Sequence, residues 1–177
     1  MVECGNVKGK DIIVAVLLFK HEELYYDIAN LAFVEGHIMT DVDDEVRHTL
    51  QDIVQEGNCD RVERVLDKDH AIITELLYPY TKRTIDTDML DDRLVEKTVF
   101  GIRLELPEDF SQTTLNLMER LVHEYLVCDV VQDWLSITNP RKAQIWAEKR
   151  DEAKSALRSC VNNRRGPKRT RIKLQPF

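Results

Sequence analysis

The sequence has no long apolar run. Its longest uninterrupted stretch, residues 12–19, has eight residues, against the roughly 18 that a bilayer-spanning helix needs. Nor does it show a basic start, an apolar centre and a small-residue cleavage site at its N-terminal end. A soluble protein made in a cytoplasm is expected. Cysteine is sparse: Cys4, Cys59, Cys128 and Cys160 stand far apart with no Cys-x-x-Cys, a pattern of free thiols and not of a disulfide framework or a zinc knuckle. The third absence is local. From residue 161 to 177 there is no acid, while Arg164, Arg165, Lys168, Arg169, Arg171 and Lys173 supply +6. The chain as a whole carries −7, so residues 1–160 carry −13. An acidic body precedes a basic tail.

At 177 residues the chain fits one compact domain, or one domain with an appendage, and excludes a multidomain enzyme. With 43% apolar and 32% charged residues, it is too hydrophobic for a disordered chain and too charged for a membrane one. The division is expected at an acidic helical domain, 1–160, and a basic extended tail, 161–177.

Residues 11–34 contain no Gly or Pro. Ile13, Val16, Leu17, Leu24, Ile28 and Leu31 largely follow a helical period, which predicts one long helix or two abutting ones. The β-branched residues among 12–16 keep an opening strand as the alternative over 12–19. A short helix is expected over 43–56, with Val46, Leu50, Ile53 and Val54 on one side. Another is expected over 60–78, with Val62, Val65, Leu66, Ile72, Ile73, Leu76 and Leu77 at spacings of three and four. Residues 80–93 read as an acidic surface loop. Ile102, Leu104 and Leu106 alternate with Arg103 and Glu105, so residues 94–106 hold the best strand or hairpin-arm signal, ended by Pro107.

Ser111 is a plausible N-cap for an apolar helix over 112–137. Leu117, Leu121, Tyr125, Cys128, Val131 and Leu135 form one stripe on it. Leu115, Met118, Val122, Leu126, Val130 and Trp134 form a second. So wide an apolar surface makes the helix either central in its domain or shared with a neighbouring subunit. Asn139-Pro140 is a specific helix start, and the last helix runs to about residue 160 with Ala143, Trp146, Ala153, Leu157 and Cys160 facing inward. The expected fold is therefore mainly α: a bundle of about five helices, a short β-strand or hairpin arm near 94–106, and an extended C-terminal tail.

Motifs of catalysis fail on spacing. Gly5 to Lys10 has the glycines and lysine of a phosphate loop, but Asp11 stands where Ser or Thr should hold magnesium. His21-Glu22 and His123-Glu124 begin like a zinc helix, but Tyr25 and Val127 occupy the second ligand positions. The acids at 41–45 and 86–92 lack the glycine of a calcium loop. No Gly-x-Ser-x-Gly elbow is present. His70, Glu75 and Asp86 can meet only through the fold. The expectation is no enzyme, no catalytic residues, no metal, no cofactor and no small-molecule substrate.

The tail admits three readings: a nucleic-acid arm, a docking strand for a protein groove, or a solubilising end. Six cations would displace counterions from phosphates and give salt-dependent binding. Yet Arg171, Lys173 and Gln175 alternate with Ile172, Leu174 and Pro176, and Phe177 follows. A strand laid on a partner uses every second side chain as an anchor. That order favours docking on a protein, with Arg164, Arg165, Lys168, Arg169, Arg171, Ile172, Lys173, Leu174 and Phe177 as the contact residues.

The segments DIANLAFVEG (27–36), GNCDRVERVLDKDHAIITELLYPYTK (57–82) and RTRIKLQPF (169–177) resemble those of small structural proteins from the head-gene clusters of tailed bacteriophages and prophages. The plan of an acidic helical body with an extended C-terminal segment is similar to that of the head-to-tail connector, or adaptor, family. The resemblance implies a non-enzymatic virion protein of the neck region, synthesised in the host bacterial cytoplasm. It implies a homo-oligomeric ring, commonly of about twelve copies, beneath the portal. The C-terminal segments would dock on portal subunits, the lower face would receive a tail or stopper protein, and the lumen would contact packaged DNA transiently. An acidic lumen suits that passage because it repels phosphates. The stripe Leu115, Met118, Val122, Leu126, Val130 and Trp134 would suit a subunit interface. The alternative function is a nucleic-acid-binding accessory protein that uses the basic tail.

Overall fold

A computed structural model describes residues 3–7, 10–38, 52–83 and 97–162. The elements run β1 (Glu3–Val7), β2 (Lys10–Lys20), α1 (His21–Ile38), a 3-10 turn (Asp52–Val54), α2 (Cys59–Leu76), β3 (Val99–Pro107), α3 (Gln112–Thr138) and α4 (Pro140–Asn162). The fold is mainly helical, with four α-helices and one small antiparallel sheet of order β1-β2-β3 among the described residues.

The helix expected from residue 11 is corrected at its first half: residues 10–20 are a strand, and the helix begins only at His21. The alternative reading held because Ile12, Ile13, Val14 and Val16 are β-branched and fit a pleated surface. Burial follows the strand period. Ala15, Leu17 and Phe19 are buried, while Val16 and Leu18 are exposed. The β3 arm alternates in the same way, with Phe100, Ile102, Leu104 and Leu106 inward. Register pairs Leu17 with Ile102 and Phe19 with Phe100, so each inward strand residue meets another.

The outer edge of β3 is partly occupied. Glu105 N–H donates to Tyr80 O at 2.8 Å, and His70 Nε2–H donates to Gly101 O at 3.0 Å. Burial lowers the His70 pKa and thus keeps the ring neutral, against the smaller opposing effect of the Gly101 carbonyl. These contacts from α2 and its following turn satisfy two of the groups that an edge strand would otherwise offer to a foreign strand.

Of the helix expected over 43–56, only Asp52–Val54 belongs to a described element, as a 3-10 turn with Ile53 buried; residues 43–51 lie outside the described residues, as do 84–93 of the expected acidic loop. The α2 stripe is as expected, with Val62, Leu66, Ile73 and Leu77 buried. Asn139 caps α4: Lys142 N–H donates to its side-chain Oδ1 at 3.2 Å. Ser111 stands at the N-cap of α3 without a side-chain capping bond.

α3 is the central element. It packs along α4 as an αα-hairpin and touches α1 and α2 on its other sides. Burial spreads all around its second half: Tyr125, Leu126, Val127, Cys128, Asp129, Val130 and Val131 are consecutive and buried. The sheet's inner face and α1 complete one core.

Candidate functional site

The expected subunit-interface stripe is used within the chain itself. Met118, Val122, Leu126, Val130 and Trp134 are buried in its core, and Leu115 is partly buried against that core. Among the described residues this helix lies against α1, α2 and α4, and the stripe packs into their common core. The expected tail contacts, Arg164, Arg165, Lys168, Arg169, Arg171, Ile172, Lys173, Leu174 and Phe177, lie outside the described residues. Of the scattered trio, His70 is bound to β3 and Glu75 borders a cavity at the far end of α2, while Asp86 lies outside the described residues.

Two clusters emerge that spacing alone did not single out. The first is sealed. Asp69 of α2 is fully buried and Asp129 of α3 nearly so. Arg150 of α4 donates from Nη1 to Asp129 Oδ1 at 2.7 Å and to Gln132 Oε1 at 2.6 Å. Lys68 Nζ donates to Asp129 Oδ2 at 3.3 Å and stands 3.8 Å from Asp69 Oδ1. Among the described residues no amide, amine or hydroxyl donor reaches either Asp69 oxygen; its hydrogen bond is with Asp129.

Burial, that bond and the Asp129 charge push the Asp69 carboxyl up to about 8, so it is the protonated member at neutral pH. Burial works against the charge of Asp129 too. The hydrogen bonds from Asp69 and Arg150 and the charges of Lys68 and Arg150 nevertheless bring it below the ordinary carboxylate range. Tyr125 beside them is pushed up to about 12, first by burial and then by the two carboxylates. One proton thus leaves a single negative charge, on Asp129, which Lys68 and Arg150 face, and the carboxyl pair pins α2, α3 and α4 together.

The second cluster is open. A cavity of about 550 Å³ lies between α1, α3 and α4. Its apolar lining is Leu31, Val127, Cys128 and Trp146, and Asp27, Glu124 and Glu152 stand at its border with His123 and Lys149. The Trp146 ring is held in place, since its Nε1–H donates to Glu35 Oε1 at 3.2 Å, and Glu35 also pairs with Lys142 at 3.0 Å. The Lys149 ammonium lies 4.0 Å from the Trp146 ring centroid. His123 Nε2 lies 2.8 Å from Asp27 Oδ2 and ties α3 to α1. A second cavity of about 330 Å³ shares His123 and adds Glu23, Glu119 and Arg120.

Acids therefore outnumber cations along this groove. Its thiol is inert: burial, then the Glu124 charge, raises Cys128 to about 11, so the thiolate needed for nucleophilic attack is scarce at neutral pH. Among the described residues no group of three or more His, Cys, Asp or Glu side chains is placed to hold a metal ion, and no helix is long and apolar enough to cross a membrane. The arrangement offers apolar contact bordered by negative charge, which is suited to binding.

The carboxyl cluster carried a readable signal. Asp69 sits at helical spacing between Leu66 and Ile73 in an apolar stripe, and Asp129 interrupts an otherwise apolar run. An acid in such a position needs a partner. The groove could not be seen in the same way, because its acids come from three helices.

No family model, curated protein or solved structure matches the chain.

Proposed function

We propose that the chain is a structural virion component, a head-to-tail connector subunit that forms a ring, joins a portal to tail or stopper proteins and lines the DNA exit path. The observation that carries this reading is the division of charge: a −13 body followed by a +6 tail whose apolar residues alternate with its cations. A body of that sign repels a passing phosphate backbone. A tail with alternating anchors is suited to a protein groove, where an arm serving only phosphates needs none.

Two features of the body are consistent with that role. Its central carboxyl pair is locked between three helices and sealed from solvent, and its buried thiol is held protonated. These fit a rigid scaffold. The tail would dock on portal subunits, and the contact with DNA would be transient.

Deletion of residues 164–177 tests the reading against the alternative, a nucleic-acid-binding accessory protein. The connector loses incorporation into portal complexes with its weak DNA affinity unchanged. If deletion instead abolishes a salt-sensitive DNA affinity and leaves portal incorporation intact, the tail is a nucleic-acid arm.

A further inference from the structure

We infer that, in the free protein, the C-terminal segment 171–177 folds back into the acid-bordered groove between α1, α3 and α4 of its own chain. This inference rests on the docking-strand reading of the tail and names where that strand lies before a partner is met.

The chemistry of the two surfaces is complementary. Ile172 and Leu174 are two positions apart, so an extended segment presents both to one side, where Leu31, Val127 and Trp146 offer an apolar lining. Arg171 and Lys173 have long stems that let their charged ends reach sideways to Asp27, Glu124 and Glu152 at the border. The other large cavity does not fit. It has about 700 Å³ at the far end of α2 and α4, but its charged residues are Glu75 with Lys154 and Arg158, so it would meet the tail with an excess of like charge. The edge of β3 suits the tail less for a different reason, since Tyr80 and His70 already take two of its backbone groups, Glu105 N–H and Gly101 O.

Reach and concentration favour the same chain over a second copy. The groove touches α4 at Lys149 and Glu152, and α4 ends at Asn162, a return of about 15–20 Å at the rise of an α-helix. Residues 163–171, extended, cover about 30 Å. A tether of that length holds the segment at an effective concentration on the order of millimolar, above what a second copy provides in dilute solution. Occupancy shields the docking strand from other acidic surfaces. It also reduces the tail's apparent affinity for a portal by the fraction of chains in which the tail is free.

The test uses the full chain, mixed in equal parts with an isotope-labelled copy and treated with a carbodiimide that joins lysines to carboxylates. Lys173 is expected to couple to Asp27, Glu124 or Glu152 within one isotopic copy, at a yield independent of protein concentration and lost at high salt. The variant Ile172→Ser with Leu174→Ser keeps every charge, and is expected to disperse those links among other exposed acids. Links found only between copies, links spread evenly over acids such as Glu22, Glu108 and Glu148, or a variant indistinguishable from the parent would each overturn the inference. Portal incorporation is scored separately. A tail that assembles with a portal but never couples to the groove removes this inference alone, whereas a tail that couples but does not assemble removes the connector reading.

Discussion

Asp69 of α2 and Asp129 of α3 share one hydrogen bond in the interior, with Asp69 as its protonated partner and Asp129 held ionised by Arg150 and Lys68. The pair joins α2, α3 and α4, and its proton makes their packing depend on pH.

Because the Asp69 carboxyl titrates at about 8 when folded and at 3.8 when unfolded, the folded state holds a proton that the unfolded state releases. That contribution is complete below the unfolded value and disappears as pH rises through about 8. Asp129 acts in the opposite direction: its depressed value favours folding above 3.8 and loses that contribution as pH falls. Thermal unfolding followed from pH 5 to pH 8 should show a falling midpoint, and Asp69→Asn, which keeps a donor toward Asp129 without a charge to ionise, should flatten that decline. An equally steep decline in the variant contradicts the assignment of the proton.

Replacing Arg150 by Ala leaves a nearly buried Asp129 with Lys68 as its remaining cation. A loss of about 3 kcal/mol is expected, as for other buried pairs broken on one side. Urea unfolding should show it as a lower midpoint with an unchanged slope. The double variant Asp129→Asn with Arg150→Met, which removes both charges, should recover part of the loss.

Phe100 is fully buried on β3, faces Phe19 across the sheet and packs beside His70 of α2, with the Lys97 ammonium 5.5 Å from its ring centroid. Phe100→Ala should cost about 3–5 kcal/mol. Gly101, its neighbour, faces outward, and among the described residues a Cβ there would meet Leu18 Cδ2 at 3.5 Å, an ordinary contact. Gly101→Ala should therefore be neutral or stabilising by about 0.5 kcal/mol. The contrast between adjacent residues checks which face of the arm is packed.

Cys128 should resist alkylation in the folded protein at pH 8, because it is 3% exposed and its thiol titrates near 11. Cys59 and Cys160 are partly exposed and should react first. Mass spectrometry after brief iodoacetamide treatment distinguishes the sites. Early modification of Cys128 would mean that the groove lining opens.

The arm of β3, the α2 stripe, the Asn139 cap and the hairpin of α3 with α4 were legible in the sequence, because alternation, helical spacing and capping are local signals. The strand at 10–20 was legible only as an alternative. Over eight apolar residues the helical and strand periods both find matches, and pairing with β3 decides between them. The wide apolar surface of α3 was read correctly as a surface to be covered, but Leu115, Met118, Val122, Leu126, Val130 and Trp134 show why its partner stayed open: sequence reports that a face is apolar and not which element covers it. The groove was not legible, since Asp27, Glu124 and Glu152 come from three helices and only packing brings them to one border.

The most direct test of the connector reading is an image of the purified chain mixed with portal rings encoded in the same genome. The account predicts an additional ring stacked coaxially on the portal, lost in the triple variant Ile172→Ser, Leu174→Ser and Phe177→Ser although the tail charge is unchanged. Portals that stay bare, while the same protein is retained on DNA through its tail and released by salt, would contradict it.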